Sequence, residues 1–333
     1  MGYTTLLKEV VALFFLLIAV ATSTHLDFDA IIRKVNSVET SWKAGQPTIT
    51  AASIVGQYCA WKNAEKPEEF SFYDDIVIPE EFDSRQKWPN CPTIRSIPNQ
   101  GKCGCCWAVA AASAMSDRLC IATNGNFTLP LSAEELMTCC KECGKGCHGG
   151  VHYKAWQYFV THGIVTGGGH SSQVGCQPFE IPPCERVSSN SSRPNCNSLP
   201  TPQTPQCQTT CTNPAYSVPY TSDHRKAQNV YQLPNNASEI QKEILIHGPV
   251  EAAFTTYSDF LTYQSGIYRH LTKNAISRHA VKIIGWGTEG GVPFWLIANS
   301  FDSDWGEGGF FRMLRGSNEC GIEDDVTAGL PLV

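Results

Sequence analysis

Cys106 has the clearest chemical potential of any side chain in this sequence. It stands where the glycine-rich segment QGKCGCCW meets CWAVAAASAMSDRLCIA, whose alanine content predicts a helix over residues 106–124. A thiol attacks as a thiolate, and the start of a helix lowers the pKa of a cysteine placed there. The position therefore predicts a nucleophile. A structural role stays open on this feature alone, because the chain has 16 cysteines.

A second cluster of reactive side chains lies in CCKECGKGCHGG. Its thiols and imidazole are of the types that bind zinc, namely Cys139, Cys140, Cys143, Cys147 and His148. In an oxidising compartment the same cysteines favour disulfides. We therefore expect no metal and no organic cofactor.

The compartment is indicated by residues 1–24. Lys8 precedes the apolar run VVALFFLLIAV, which is short for a membrane span, and small residues follow it, including Ala21 and Ser23. This pattern predicts a secretory signal peptide, with a buried core helix as the alternative. No later segment has the length and apolar purity of a membrane span.

Composition and short motifs agree with secretion. The formal net charge is −6, which argues against a nucleic-acid partner. Three N-x-Ser/Thr motifs predict glycosylation at Asn126, Asn190 and Asn236.

Residues 25–76, which we call the N-terminal segment, differ from the rest. Phe28, Ile31, Ile32 and Val35 have helical spacing, and a looser, charged stretch follows. The segment is either a small lobe or a removable pro-segment.

The remaining chain changes character along its length. Ser132 and Glu135 predict a capping box at the start of a second helix, and residues 151–162 predict a third. Residues 176–220 are rich in proline and cysteine and predict an irregular insertion held by disulfides. VEAAFTTYSDF, HAVKIIGWG and PFWLIANS predict strands, so the fold class is α+β in two lobes.

Three segments resemble the active site of papain-family cysteine proteases. They are SIPNQGKCGCCWAVA, RHAVKIIGWG and PFWLIANSFDSDWGEGGFFRM, in the family's order. FDSRQKWPNCPTI, VGCQPFEIPPCE, CGIEDDVTAG and SWKAG are similar to the cathepsin B branch. The resemblance implies a helical left lobe and a β-barrel-like right lobe with the active-site cleft between them. It divides the chain into a signal peptide (1–24), a pro-segment (25–76) and a peptidase domain (77–333) with an occluding-loop-like insertion at about 176–211, and processing near residues 74–78.

The same resemblance implies a role for each matching residue. Cys106 is the nucleophile, His279 its acid–base partner, and Asn299 orients the imidazole. Gln100 and the backbone N–H of Cys106 form the oxyanion hole, while a substrate-docking wall is implied for Gly149 and Gly150. The other histidines are interpreted as surface or packing residues.

The resemblance also implies six disulfides. The pairs are Cys91–Cys120, Cys103–Cys147, Cys139–Cys207, Cys140–Cys143, Cys176–Cys211 and Cys184–Cys196. It leaves Cys59 and Cys320 outside the pairs, together with Cys106 and Cys105.

The insertion departs from the cathepsin B pattern. Arg186 and Val187 stand where that branch has two histidines that bind the carboxylate of a substrate's C-terminus. Asn99 replaces an aspartate that clasps one of them, whereas a second clasp, between Arg193 and Asp304, is retained. We therefore expect weakened dipeptide removal and mainly endopeptidase activity; the opposing hypothesis is that Arg186 binds the carboxylate.

Further departures surround the catalytic set. Cys105 puts a second thiol beside the nucleophile, and Phe301 replaces a tryptophan that shields the His–Asn hydrogen bond. Arg278 precedes His279 where the branch has glycine, and we expect its charge to alter the pH profile. Asp325 matches the acid at the base of the S2 pocket, which admits Arg as well as apolar residues at P2.

These observations predict a lysosomal or secreted cysteine protease that acts on proteins or peptides and meets cystatin-type inhibitors. A catalytically inactive homologue that binds peptides or inhibitors is the alternative, because Cys105, Arg278 and Phe301 cluster around one site. We expect no nucleic-acid partner. We also expect no membrane span once the signal peptide is removed.

Overall fold

The computed structural model describes residues 26–47, 59–62, 76–186 and 192–333. The predicted signal peptide, Val187 and Asn190 lie outside the described residues. The helices in these ranges are α1 (Phe28–Ser37), α2 (Ser84–Lys87), α3 (Cys106–Ala122), α4 (Ala133–Cys139), α5 (His152–Thr161), α6 (Tyr220–Asp223) and α7 (Ala237–His247). The strands are β1 (Trp42–Ala44), β2 (Phe82–Asp83), β3 (Tyr231–Gln232), β4 (Val250–Tyr257), β5 (Tyr263–Tyr268), β6 (Ala275–Glu289), β7 (Val292–Ala298), β8 (Phe310–Leu314) and β9 (Val326–Ala328).

One lobe is helical and is built around α3. This helix is buried along most of its length, and its small alanine side chains allow neighbouring elements to approach closely. Trp107, Met115, Leu136 and Trp156 are fully or almost fully buried in the core that α3 shares with α4 and α5. The cluster therefore fixes the direction in which the start of α3 points.

The other lobe is a sheet with strand order β1-β5-β8-β7-β6-β4-β9-β3, to which β2 adds by pairing with β6. Its pairs are antiparallel except for β5 with β8. A buried ion pair joins it to the helical lobe: Lys282 Nζ on β6 lies 2.5 Å from Asp117 Oδ2 on α3. The ion pair therefore holds the second half of α3 against β6.

The described part of the N-terminal segment packs on the sheet. β1 pairs with β5, and Trp42 is 2% exposed in the sheet core. The predicted apolar face of α1 contributes Val35 to the same core, with Ile31 and Ile32 packed against it. Burial of these side chains supplies a hydrophobic anchor for the segment.

The two-lobed α+β prediction is confirmed, with two local corrections. Ser132 caps α4 by accepting the N–H of Glu135 at 3.0 Å, but the Glu135 carboxylate does not return to Ser132. It is buried and accepts the N–H of Val165 at 2.6 Å, so only half of the predicted capping box forms. The predicted third helix begins at His152 and ends at Thr161, and α7 was not predicted. Among the described residues, no helix is both long and apolar enough to cross a membrane.

Candidate active site

Cys106 is the first residue of α3 and is fully buried. The turn before the helix is fixed by the Gly104 N–H, which donates to the Cys147 carbonyl at 2.8 Å. The backbone N–H of Ala280 on β6 points at Cys106 Sγ from 3.2 Å. The sulfur therefore lies between the N-terminus of a helix and a strand N–H, both of which favour a negative charge.

His279 on β6 faces this cysteine. Its Nε2 lies 2.8 Å from Asn299 Oδ1, just after β7, which leaves Nδ1 directed at the sulfur atoms in the cleft. Phe301 stacks on the imidazole at a ring distance of 4.9 Å and an angle of 25°. The structure thus brings the predicted acid–base partner and its orienting amide together, with an aromatic cover.

Gln100 lies beside the start of α3 and is held from two sides. Its Oε1 accepts the Ser300 hydroxyl at 2.6 Å, and its Nε2 donates to the Cys103 carbonyl at 2.7 Å. These bonds fix the side-chain amide near the backbone N–H of Cys106. This pair of donors is suited to stabilising an oxyanion.

The N-terminal segment occupies this site. The sulfur of Cys59 lies against Cys106 Sγ and accepts the Cys106 N–H at 2.9 Å. Gln100 Nε2 and His279 Nδ1 each lie 3.9 Å from the same sulfur. The segment therefore carries Cys59 into the oxyanion hole, a position that the sequence did not predict. In this form the thiol of Cys106 is covered.

The backbone from Cys59 to Trp61 runs along the cleft. The Trp61 N–H donates to the Gly150 carbonyl at 2.7 Å, and the Gly150 N–H donates to the Cys59 carbonyl at 3.4 Å. A Cβ on Gly150 would lie 2.6 Å from the Trp107 ring, so only glycine leaves this wall flat. Gly149 precedes it at φ 100°, a conformation that favours glycine.

Asp325 lies in a neighbouring cavity of about 360 Å³, whose lining includes Arg278 and Lys62 of the N-terminal segment. Arg278 Nη2 lies 2.5 Å from Asp325 Oδ2, and His152 Nε2 lies 3.2 Å from Oδ1. Burial raises the pKa of Asp325, but His152 and Arg278 outweigh it and hold that pKa below its usual value. The carboxylate is therefore already paired with two side chains.

Arg186 lies on the opposite side of His279. Its guanidinium stacks on Phe301 at 4.3 Å and donates to the Gly101 carbonyl at 2.6 Å, and the residue is only 9% exposed. Burial and the charge of Arg186 lower the pKa of His279 to about 4, against the opposing hydrogen bond to Asn299. The sequence predicted that the charge of Arg278 would alter the pH profile. Arg278 instead points into the Asp325 cavity, and the charge that lowers the pKa of His279 is that of Arg186.

The clasp predicted for the insertion forms together with a new one. Arg193 lies 2.6 Å from Asp304 and 2.5 Å from Asp302. Asn99 Nδ2 donates to Asp302 Oδ2 at 3.2 Å and to the Cys184 carbonyl at 3.1 Å. Asp302, which was not predicted, therefore joins Asn99 and the insertion.

The structure contains the six disulfides that the resemblance implied. The zinc alternative for CCKECGKGCHGG is wrong, because every cysteine in it is in a disulfide. Cys105 and Cys320 are unpaired and buried. Asn126 and Asn236 are exposed, and glycosylation at both stays a prediction.

Sequence reasoning missed the groups beneath the Asp325 cavity. His152, interpreted as a surface or packing residue, is fully buried and lies next to Asp325. Glu251 is also fully buried; its carboxylate accepts the indole N–H of Trp156 at 2.8 Å, and burial raises its pKa to about 8. These residues come from separate elements, and no local motif connects them.

Comparison with known proteins agrees with this geometry. Residues 78–330 match the family described as papain family cysteine protease. The chain belongs to this family. It is 44% identical over 311 residues to "Cathepsin B-like cysteine proteinase 4" of Caenorhabditis elegans, covering 92% of each chain. It is 50% identical over 256 residues to "Cathepsin B-like cysteine proteinase" of Schistosoma japonicum, covering 77% of this chain and 74% of that protein.

A solved proenzyme is similar along most of the chain. The structure of "proCathepsin B S9 from Trypanosoma congolense" aligns with a TM-score of 0.75 at 36% identity and covers 92% of this chain and 97% of that one. The fold and the branch of the family are thereby confirmed. The protein is a cathepsin B-like cysteine peptidase that acts on proteins or peptides.

Proposed function

We propose that this peptidase is made as a zymogen and, after loss of the N-terminal segment, cleaves mainly within polypeptide chains. The observation that carries the endopeptidase assignment is the burial of Arg186 between Phe301 and the Gly101 carbonyl. In that position the guanidinium is already stacked and hydrogen-bonded, so it does not point towards the terminal carboxylate of a substrate.

The proposed reaction uses the four residues assembled at the cleft. The thiolate of Cys106 attacks the peptide carbonyl carbon, and the imidazolium of His279 gives its proton to the leaving amine. The oxyanion accepts hydrogen bonds from the Cys106 N–H and from Gln100, and such a donor contributes about 3–4 kcal/mol. Water, deprotonated by His279, then hydrolyses the thioester. Asn299 keeps the imidazole aligned throughout.

The position of Cys59 supports the proposed inhibition by the N-terminal segment. Its sulfur occupies the place where a substrate oxygen would accept the Cys106 N–H. The backbone of Cys59 and Trp61 forms hydrogen bonds with Gly150, where the substrate backbone would dock. A substrate therefore cannot enter until the segment leaves. We place the processing site near residues 74–78.

The Asp325 cavity is the proposed S2 pocket. Because Asp325 is already paired with Arg278, the pocket gives an arginine at P2 less stabilisation than an unpaired carboxylate would. Lys62 of the N-terminal segment lines the same cavity, which supports entry of a cationic side chain.

The proposed setting is the secretory pathway, ending in the lysosome or outside the cell. The support is the predicted signal peptide and the six disulfides, which persist in oxidising compartments. Cystatin-type inhibitors are the proposed regulators, since they are implied by the family resemblance.

The endopeptidase proposal is tested with one peptide carrying either a free or an amidated C-terminus. We expect kcat/KM values for release of the last two residues that differ by only a few fold. A preference of tenfold or more for the free acid would overturn the proposal, and its loss in Arg186→Met would then assign carboxylate binding to Arg186. No cleavage of either peptide by folded, processed protein would favour the inactive, peptide-binding alternative.

A further inference from the structure

His270, Glu319 and Cys320 form a cluster of side chains that the proposed reaction does not use. His270 follows β5, and the other two residues begin a short 3-10 helix, Glu319–Asp324. His270 Nδ1 lies 2.6 Å from Glu319 Oε1, Cys320 Sγ lies 3.3 Å from the same oxygen, and the sulfur lies 3.9 Å from Nδ1. One nitrogen, one oxygen and one sulfur atom therefore converge on one point.

These separations fit a tetrahedral ion of zinc's size. Zinc bonds of about 2.0–2.3 Å to nitrogen, oxygen and sulfur put neighbouring ligand atoms roughly 3.3–3.8 Å apart. The sulfur lies 3.3 Å from the carboxylate oxygen, within this range, and 3.9 Å from the imidazole nitrogen, just beyond it. The nitrogen–oxygen contact of 2.6 Å, a direct hydrogen bond, must lengthen when an ion enters between the two atoms.

The three side chains are held in place by their surroundings. The backbone N–H of His270 donates to Glu319 Oε1 at 2.9 Å, and Tyr257 stacks on the imidazole at 4.3 Å and 14°. Cys320 has a φ of 55°, which is uncommon for a residue with a Cβ, and it turns the thiol back towards His270. Side chains that bind metal ions are typically held in this way by hydrogen bonds and packing around them.

An ion from solvent can reach the cluster. His270 has a 38% exposed side chain, and both His270 and Cys320 line the cavity of about 360 Å³ that also contains Asp325. Cys105 provides a contrast within the same chain. It is also an unpaired cysteine, but it is fully enclosed, and no group of potential metal ligands among the described residues includes it.

We propose that Cys320, His270 and Glu319 bind a divalent cation of zinc's type, with the fourth position open to the cavity. In the binding step the thiol S–H bond breaks, its proton goes to solvent, and a sulfur–metal bond forms. No oxidant or reductant takes part. A bound ion would link the end of β5 to the 3-10 helix and so stabilise the folded state by mass action.

The test uses the full proprotein carrying Cys59→Ala and Cys106→Ala. These substitutions remove the other group of potential metal ligands in the described part of the chain, which is formed by Cys59, Cys106 and His279. Titration with cobalt(II) under non-reducing conditions is expected to give a near-ultraviolet sulfur-to-cobalt charge-transfer band with one ion per chain, which zinc displaces. The band should vanish in Cys320→Ser and persist in the matched Cys105→Ser variant.

Two further variants keep the test decisive if Cys320→Ser does not fold. His270→Asn and Glu319→Gln are expected to weaken zinc binding by at least about tenfold in calorimetry, while near-ultraviolet circular dichroism without metal stays unchanged. Absence of the band in the folded parent protein, or its persistence in folded Cys320→Ser, would overturn the proposal.

Discussion

The sulfur of Cys59 accepts the backbone N–H of Cys106 at 2.9 Å. The N-terminal segment thus covers the candidate nucleophile and fills the oxyanion hole with one atom. Backbone hydrogen bonds from Cys59 and Trp61 to Gly150 hold this part of the segment in the cleft.

The first prediction concerns inhibition by that segment. A peptide of residues 25–76 should inhibit the processed enzyme under reducing conditions, because Cys59 fills the oxyanion hole and Trp61 binds Gly150. Cys59→Gly in the peptide should raise the inhibition constant by about tenfold, the change that about 1.4 kcal/mol gives. Lys43→Ala, at an exposed site, should leave the constant unchanged. Equal inhibition by the Cys59→Gly peptide would contradict the role of Cys59.

The second prediction concerns specificity at P2. Arg278→Gly should free Asp325 from one of its two partners, so that the carboxylate can pair with an arginine at P2. The ratio of kcat/KM for Arg over Phe at P2 should then rise by roughly tenfold, which corresponds to about 1.4 kcal/mol of differential binding. Paired dipeptide amide substrates measure the ratio. Adding Asp325→Asn should abolish the gain. An unchanged ratio in Arg278→Gly would show that the ion pair does not limit the pocket.

The third prediction concerns the pH profile. Arg186 lowers the pKa of His279, so Arg186→Met should raise that pKa and move the alkaline limb of kcat/KM to higher pH. Methionine keeps an apolar contact with Phe301 while removing the charge. Arg278→Gly is the matched control and should leave the limb in place. A shifted limb in Arg278→Gly and an unchanged limb in Arg186→Met would show that Arg278, and not Arg186, lowers the pKa of His279.

The fourth prediction concerns stability. Burial raises the pKa of Glu251 to about 8, so at pH values between the ordinary carboxyl pKa and 8 the folded protein keeps a proton that the unfolded chain releases. The free energy of unfolding therefore falls as pH rises through this window. Glu251→Gln should flatten the fall in Tm between acidic and neutral pH, whereas Glu142→Gln, at an exposed site, should not. An equal fall in both variants would contradict the account.

Local sequence predicted the parts of this protein that depend on local physics. The helix that begins at Cys106 follows from its alanine content, and the strand around His279 follows from β-branched residues. The catalytic set came from resemblance, since spacing in sequence does not bring Cys106 and His279 together. Three features depend on tertiary contacts between distant segments, so no local pattern predicts them. They are the Arg278–Asp325 pair, the position of Cys59 and the His270 cluster.

The central claim is that Cys106 performs peptide hydrolysis once the N-terminal segment is gone. The most direct measurement is cleavage of a blocked dipeptide amide with Arg at P2 by protein processed at acidic pH under reducing conditions. We predict activity in the wild type that iodoacetamide abolishes by modifying Cys106, and no activity in Cys106→Ala processed in trans. Activity that survives in Cys106→Ala, or its absence from folded and processed wild type, would contradict the account.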